Sequence, residues 1–224
     1  MTDRTFVSLT YDGTQICHAE TVLPQLEAVG LRATFYADPL NLLEEPDVWR
    51  SAVAQGHEVG NGCLLDCGPL DSWTPEMVMS DIEETDALLQ ELFPSQLSHS
   101  FAYPWSIVGC PHTDCLRRIV EQRHRVCRSA QPGNNDLDST DIGFVLSYPM
   151  DGHQATAMSN LVSEGNSQWT VFAFAGVGSG EPSVDASAHE DFVNWLAQQS
   201  VSVLPVSSVA EAVGSGAMRK VRLI

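Results

Sequence analysis

Strand-like and helix-like segments alternate along nearly all of this 224-residue chain, and the alternation limits the available folds more than any single motif does. A β-prone run, Thr5 to Tyr11, leads into a stretch from about Ala19 to Val29 whose Val22, Leu23, Leu26 and Val29 share one helical side, with Gly30 placed to end it. Ala33 to Ala37 reads as a buried strand, Pro46 to Ala54 as a helix closed by Gly56, and His57 to Gly60 as a short strand. Thr74-Pro75-Glu76 combines a hydroxyl cap, a proline suited to the first helical position and an early acid. A helix is therefore expected from there to Phe93, with Met77, Ile82, Leu88, Leu89 and Leu92 as its apolar positions. Ser100 to Tyr103, Arg125 to Arg128, Ile142 to Tyr148, Trp169 to Ala175 and Val201 to Val206 are the later strand candidates. Leu116 to Glu121, a helix opened by the capping box Ser187-Ala188-His189-Glu190 and running to Gln199, and Ser208 to Val213 are the later helices. Gln131 to Asp136, rich in turn formers, is expected to be an irregular loop. Seven or so alternations favour an α/β fold in which parallel strands form a barrel with helices outside.

Size and composition agree with one such domain spanning residues 1–224, since a chain of this length with 43% hydrophobic residues can bury a sizeable core. Against 29 Asp and Glu stand only 11 Lys and Arg, a formal net charge of -18. That charge repels nucleic-acid phosphates and anionic lipid and favours neutral or cationic partners, although an acidic surface also serves solubility alone. Met1-Thr2-Asp3-Arg4 runs into the first strand without the apolar core of a signal peptide, and no apolar run approaches the length of a bilayer span. No membrane partner and a cytoplasmic location are expected. In a reducing compartment Cys17, Cys63, Cys67, Cys110, Cys115 and Cys127 are expected to be mostly free thiols. Nothing in the sequence sets an oligomeric state.

Leu9-Thr10-Tyr11-Asp12-Gly13, Arg32-Ala33-Thr34-Phe35-Tyr36, Gly56-His57-Glu58-Val59-Gly60-Asn61, Phe101-Ala102-Tyr103-Pro104 and Thr170 to Val177 occur in an order that resembles the polysaccharide deacetylase family, the NodB-homology domain of carbohydrate esterase type. The resemblance covers nearly the whole chain. It implies a distorted (β/α) barrel of about seven parallel strands with its site at the carboxyl ends of the strands. It also implies zinc-dependent removal of acetyl groups from N-acetylated sugars, with one Asp and two His holding the metal, a second Asp as base and a late His as acid.

Carried over position by position, most of that apparatus is absent. Asp12 matches the base, but Gly13 stands at the metal-binding Asp, Gly62 at the first ligand His and Asp66 at the second, and Ala175 at the acid His. Only Asp66 of the three ligand positions keeps a group able to bind metal, so zinc, expected in the family, is expected to be absent here. Ala102 stands where many members have an arginine that steadies the base. Arg128, at the end of a later strand, could approach Asp12 from beside it; the alternative is a surface residue. Tyr103, Trp105, Arg128 and His18 are the candidates for ligand contact, Trp105 either stacking on a sugar face or packing in the core.

A substitute metal site from Cys17, His18, Cys63, Asp66 and Cys67 competes with buried, inert thiols, and Cys110 to Cys115 with a loop of incidental Cys and His. His57 is expected to hydrogen-bond near Asp12, and His153 and His189 to be solvated. Ser179 lacks the frame of a nucleophile elbow. Two functions follow: a catalytically impaired or inactive deacetylase homologue that binds a carbohydrate or small polar ligand, or an active hydrolase of non-peptide C-N bonds using Asp12 with a remodelled or absent metal site.

Overall fold

The computed structural model describes residues 5–62, 74–96, 98–104, 113–164, 168–179 and 182–221. The central strand, β1 (Phe6–Asp12), alternates as a strand covered by helices must: Val7, Leu9 and Tyr11 join the apolar layer beneath the helices, leaving Ser8, Thr10 and Asp12 to the other face. A π-helical turn, His18–Val22, runs into α1 (Leu23–Val29), so the single coil expected from Ala19 has two windings, and Gly30 ends it in the left-handed conformation. After β2 (Thr34–Ala37), α2 (Pro39–Glu44) is capped by Asp38, which accepts from Leu40 N at 2.8 Å, and α3 (Pro46–Ala54) follows. β3 (Glu58–Asn61) precedes α4 (Pro75–Leu92), whose Thr74 cap accepts from Met77 N; Met77 itself is exposed and not part of the apolar face.

The remaining elements are β4 (Phe101–Ala102), α5 (Thr113–Glu121), β5 (Cys127–Arg128), β6 (Asn135–Asp136), β7 (Tyr148–Pro149), α6 (Ala155–Ser163), β8 (Gln168–Phe174), α7 (Ala186–Leu196), β9 (Ser202–Val203) and α8 (Val206–Val221). Strands β5, β4, β3, β2, β1 and β8 are parallel neighbours in that order. The ring closes through Val145, which bridges Arg128 of β5, and β7, which pairs with Phe172 and Ala173 of β8. Seven parallel strands thus enclose an interior, as expected. Outside the ring β6 pairs antiparallel with β8 and β9 extends β1 at Phe6 and Val7.

Three local expectations are corrected. Part of the 131–136 loop is β6, held by the Asn135 side chain to Leu146 and Trp169 carbonyls at 2.9 and 3.1 Å. The strand expected over 142–148 shrinks to a bridge at Val145 and the two residues of β7. The capping box does not form, because α7 starts earlier, after Asp185. At the amino ends of the strands, buried Glu58 accepts from Thr34 Oγ1, Ser100 N and Ser207 N at 2.9, 3.0 and 3.1 Å, tying β2, β3, β4 and the first turn of α8 together. No helix among the described residues is long and apolar enough to cross a membrane.

Candidate functional site

Parallel register brings Asp12, Tyr36 and Gly60 level at the carboxyl ends of β1, β2 and β3. A Cβ on Gly60 would stand 2.8 Å from the Tyr36 ring and from the Ser100 carbonyl oxygen, so only glycine lets that ring lie across the strand. The Arg128 guanidinium rests over the ring, 5.0 Å from its centroid, and donates from Nη2 to Asp12 Oδ1. On β5, Arg128 pairs in register with Ala102 of β4. An arginine therefore reaches Asp12 from one strand across from Ala102, and at 2% exposure Arg128 is no surface residue.

Burial raises the Asp12 carboxyl pKa, the Arg128 charge draws it back and Asp151 pushes it up again. The Asp12 side chain remains 41% exposed, and water reaching it limits the upward push. Asp151 follows β7, and its Oδ1 lies 3.4 Å from the Ala175 backbone nitrogen. Ala175, the position expected to lack the acid histidine, is thus flanked by a carboxylate. Its carbonyl oxygen is also occupied, by Gln15 Nε2 at 2.9 Å and His18 Nε2 at 3.1 Å.

Both His18 nitrogens are committed, since Nδ1 accepts from Gln15 N at 3.1 Å; burial holds the ring neutral by lowering its pKa to about 4. Neighbouring Cys17 is buried as well, which suits the inert-thiol alternative at that residue. Tyr103 packs among Phe101, Phe144 and their neighbours and donates its hydroxyl to the Gly143 carbonyl at 3.1 Å, so it walls the core under the site. Trp105, Asp66, Cys63, Cys67, Cys110 and His112 lie outside the described residues.

Two histidines stand elsewhere than expected. His57 sits at the opposite end of β3 from Gly60, away from Asp12, where its Nδ1 accepts from Ala33 N at 3.2 Å. His189 is not solvated: its Nε2 meets the Tyr11 hydroxyl at 2.7 Å and its Nδ1 the Gln25 Oε1 at 2.5 Å, and burial lowers its pKa to about 3. The available signal was its helical phase, because His189, Phe192, Val193 and Leu196 form one stripe at the core-facing spacing.

The metal that the family implies does not fit the residues at two of its positions. Gly13 and Gly62 offer no donor, and the backbone resists adding one. Gly13 has φ 94°, which an L side chain rarely adopts, and a Cβ on Gly62 would stand 2.5 Å from the Ala37 carbonyl oxygen. Among the described residues no group of three or more His, Cys, Asp or Glu is placed to hold a metal ion.

A (β/α) barrel whose polar groups gather at the carboxyl ends of its strands belongs to the class that carries enzyme sites on that face. Residues 1–127 match the family model of polysaccharide deacetylase, and the chain belongs to that family. No curated protein matches it in sequence. Among solved structures it is similar to a family 4 acetyl xylan esterase from Clostridium thermocellum in complex with a cobalt ion, at 20% identity and TM-score 0.64 over 91% of this chain and 89% of that one. It is similar to a polysaccharide deacetylase from Bacillus cereus at 13% identity and TM-score 0.63, covering 90% and 92%. A mutant CE4 family pseudoenzyme with restored enzymatic activity shares 12% identity at TM-score 0.63, covering 94% of this chain and 69% of that one. At these identities the likeness bears on fold alone.

Proposed function

We propose that this protein is a catalytically impaired or inactive polysaccharide deacetylase homologue that does without the family's metal and receives a carbohydrate or other small polar ligand around Asp12. The observation that carries this reading is at Gly62, where the Ala37 carbonyl oxygen occupies the space a ligand side chain would leave by, 2.5 Å from the would-be Cβ. A metal-bound water loses its proton near neutrality, whereas free water is a far weaker acid, so Asp12 alone is a poor activator. No acid stands at Ala175, and His18 beside it is neutral and bonded to a carbonyl. What survives is the Asp12–Arg128 pair and an opening to solvent, a combination suited to holding a polar ligand.

Metal content of protein produced in zinc-supplemented medium tests the reading. Well under one ion per chain is expected; about one per chain, displaced by Asp12→Asn, would overturn it. Adding back the donors through Gly13→Asp, Gly62→His and Asp66→His is expected to lower stability and yield neither stoichiometric zinc nor turnover of acetylated sugars. Tight zinc in that variant would show that the backbone at Gly62 is no barrier.

A further inference from the structure

Among the described residues, the recess at the strand ends holds two carboxylates and one guanidinium, and their charges do not balance. Asp12 takes the Arg128 Nη2 donor, and Asp151 Oδ1 makes a long 3.4 Å contact with the nitrogen of Ala175, which follows Phe174; because Phe174 pairs in register with Tyr11, both carboxylates stand at the same pair of strand ends. Among the described residues no Lys or Arg forms an ion pair with Asp151. Counted over these described groups, the strand ends carry one negative charge in excess. A second observation comes from the same floor. Arg128 is 2% exposed, and its Nε, closed off from bulk solvent, has no hydrogen-bond partner among the described residues. A buried donor of that kind is costly unless a ligand oxygen, or a water carried with the ligand, accepts from it.

A cation for the carboxylates and an adjacent oxygen for the guanidinium occur together in one class of carbohydrate. We propose that the recess binds an amino sugar through its free, protonated amine, the ammonium lying against Asp151 and the open side of Asp12 and a neighbouring hydroxyl toward Arg128. This rests on the ligand-binding reading above and narrows it to unacetylated sugars. An N-acetyl group carries no charge and keeps one N–H donor where the ammonium has three, so it leaves Asp151 without a counter-charge. The formal charge of -18 on the whole chain attracts cations at long range and works in the same direction.

Titration of the full chain, followed by amide nitrogen-proton NMR at neutral pH, with a glucosamine trimer, an N-acetylglucosamine trimer, an uncharged β-linked glucose trimer and spermidine separates the alternatives. The glucosamine trimer is expected to bind at least about tenfold tighter than either neutral sugar and than spermidine, with shifts centred on Asp12, Asp151 and Arg128. Asp151→Asn, which keeps the shape and the contact to Ala175 N, is expected to remove most of that preference; Asp151→Ser serves if the asparagine variant melts early. Equal binding of the three sugars overturns the amine inference and leaves the carbohydrate-binding reading standing. Binding of spermidine as tight as glucosamine, or a preference unchanged in both Asp151 variants, overturns it in favour of diffuse charge attraction. Failure of all three sugars to bind removes both readings.

Discussion

Arg128 and Asp12 are unequal partners, because one is fully enclosed and the other faces solvent. Removing the carboxylate strands a guanidinium that water cannot reach, whereas removing the guanidinium leaves a carboxylate that water can still hydrate. Asp12→Ala is therefore expected to cost about 3 kcal/mol in urea unfolding, and Arg128→Met distinctly less. Arg128→Met should also raise the Asp12 carboxyl pKa, followed by the carbon-13 shift of that carboxyl, because the downward pull of the guanidinium is lost and the push from Asp151 stays. Equal losses in the two variants would mean that the pair is not asymmetric. At this scale the expectation that donors are absent at Gly13, Gly62 and Ala175 came from the sequence, where a glycine or alanine is visible without coordinates. What stands beside those positions did not. That Arg128 lies opposite Ala102 depends on the register of two short strands separated by a helix, and that Asp151 flanks Ala175 depends on β7 joining β8.

Elements with their own local signals were legible in place and extent, whereas the extent of elements defined by their partners was not. Thr74-Pro75 opens α4 and Pro46 opens α3 where the capping and proline signals put them. The strands at 101–102 and 127–128 lie inside expected strands, the one at 148–149 keeps only the end of a longer expected strand, and the one at 135–136 falls in an expected loop; each is two residues long, with its extent set by the neighbour's backbone that pairs with it. The expected capping box was overridden in the same way, since docking of Ala188, His189 and Phe192 into the core extends α7 back to Ala186. Gly60 shows how an element transmits into the site. Gly60→Ala must move either the Tyr36 ring or the Ser100 carbonyl, both 2.8 Å from the new carbon, and the ring is what Arg128 rests on. A loss of roughly 1–3 kcal/mol by thermal or urea unfolding is expected, with altered Arg128 side-chain resonances. An alanine variant of native stability and unchanged Arg128 signals would place the ring's support elsewhere.

On the scale of the whole molecule, four buried histidines set an acid limit on stability. Burial lowers His18 and His57 to about 4 and His189 to about 3, against an ordinary value of 6.5, and lowers His124 as well. Because each folded-state pKa lies below its unfolded value, the unfolded chain takes up protons first as pH falls below 6.5. The stabilisation from keeping these rings neutral is complete above that pH and is lost as pH falls toward 4. Each histidine contributes a slope of about 1.4 kcal/mol per pH unit within that window. Two effects oppose it: the raised Asp12 pKa favours folding as that carboxyl protonates, and self-repulsion fades as the chain nears its isoelectric point of about 4.5. Salt distinguishes them, since it screens surface repulsion but not the desolvation of an enclosed imidazole. Urea unfolding between pH 8 and 4 in high salt should therefore show a flat region above pH 7 and a steep decline below 6.5. His189→Gln, which keeps a polar group between Tyr11 and Gln25, should lower the plateau and flatten the decline by about one histidine's share. Stability that holds constant from pH 7 to 4 in high salt would mean that these rings already share their protons with solvent in the folded state.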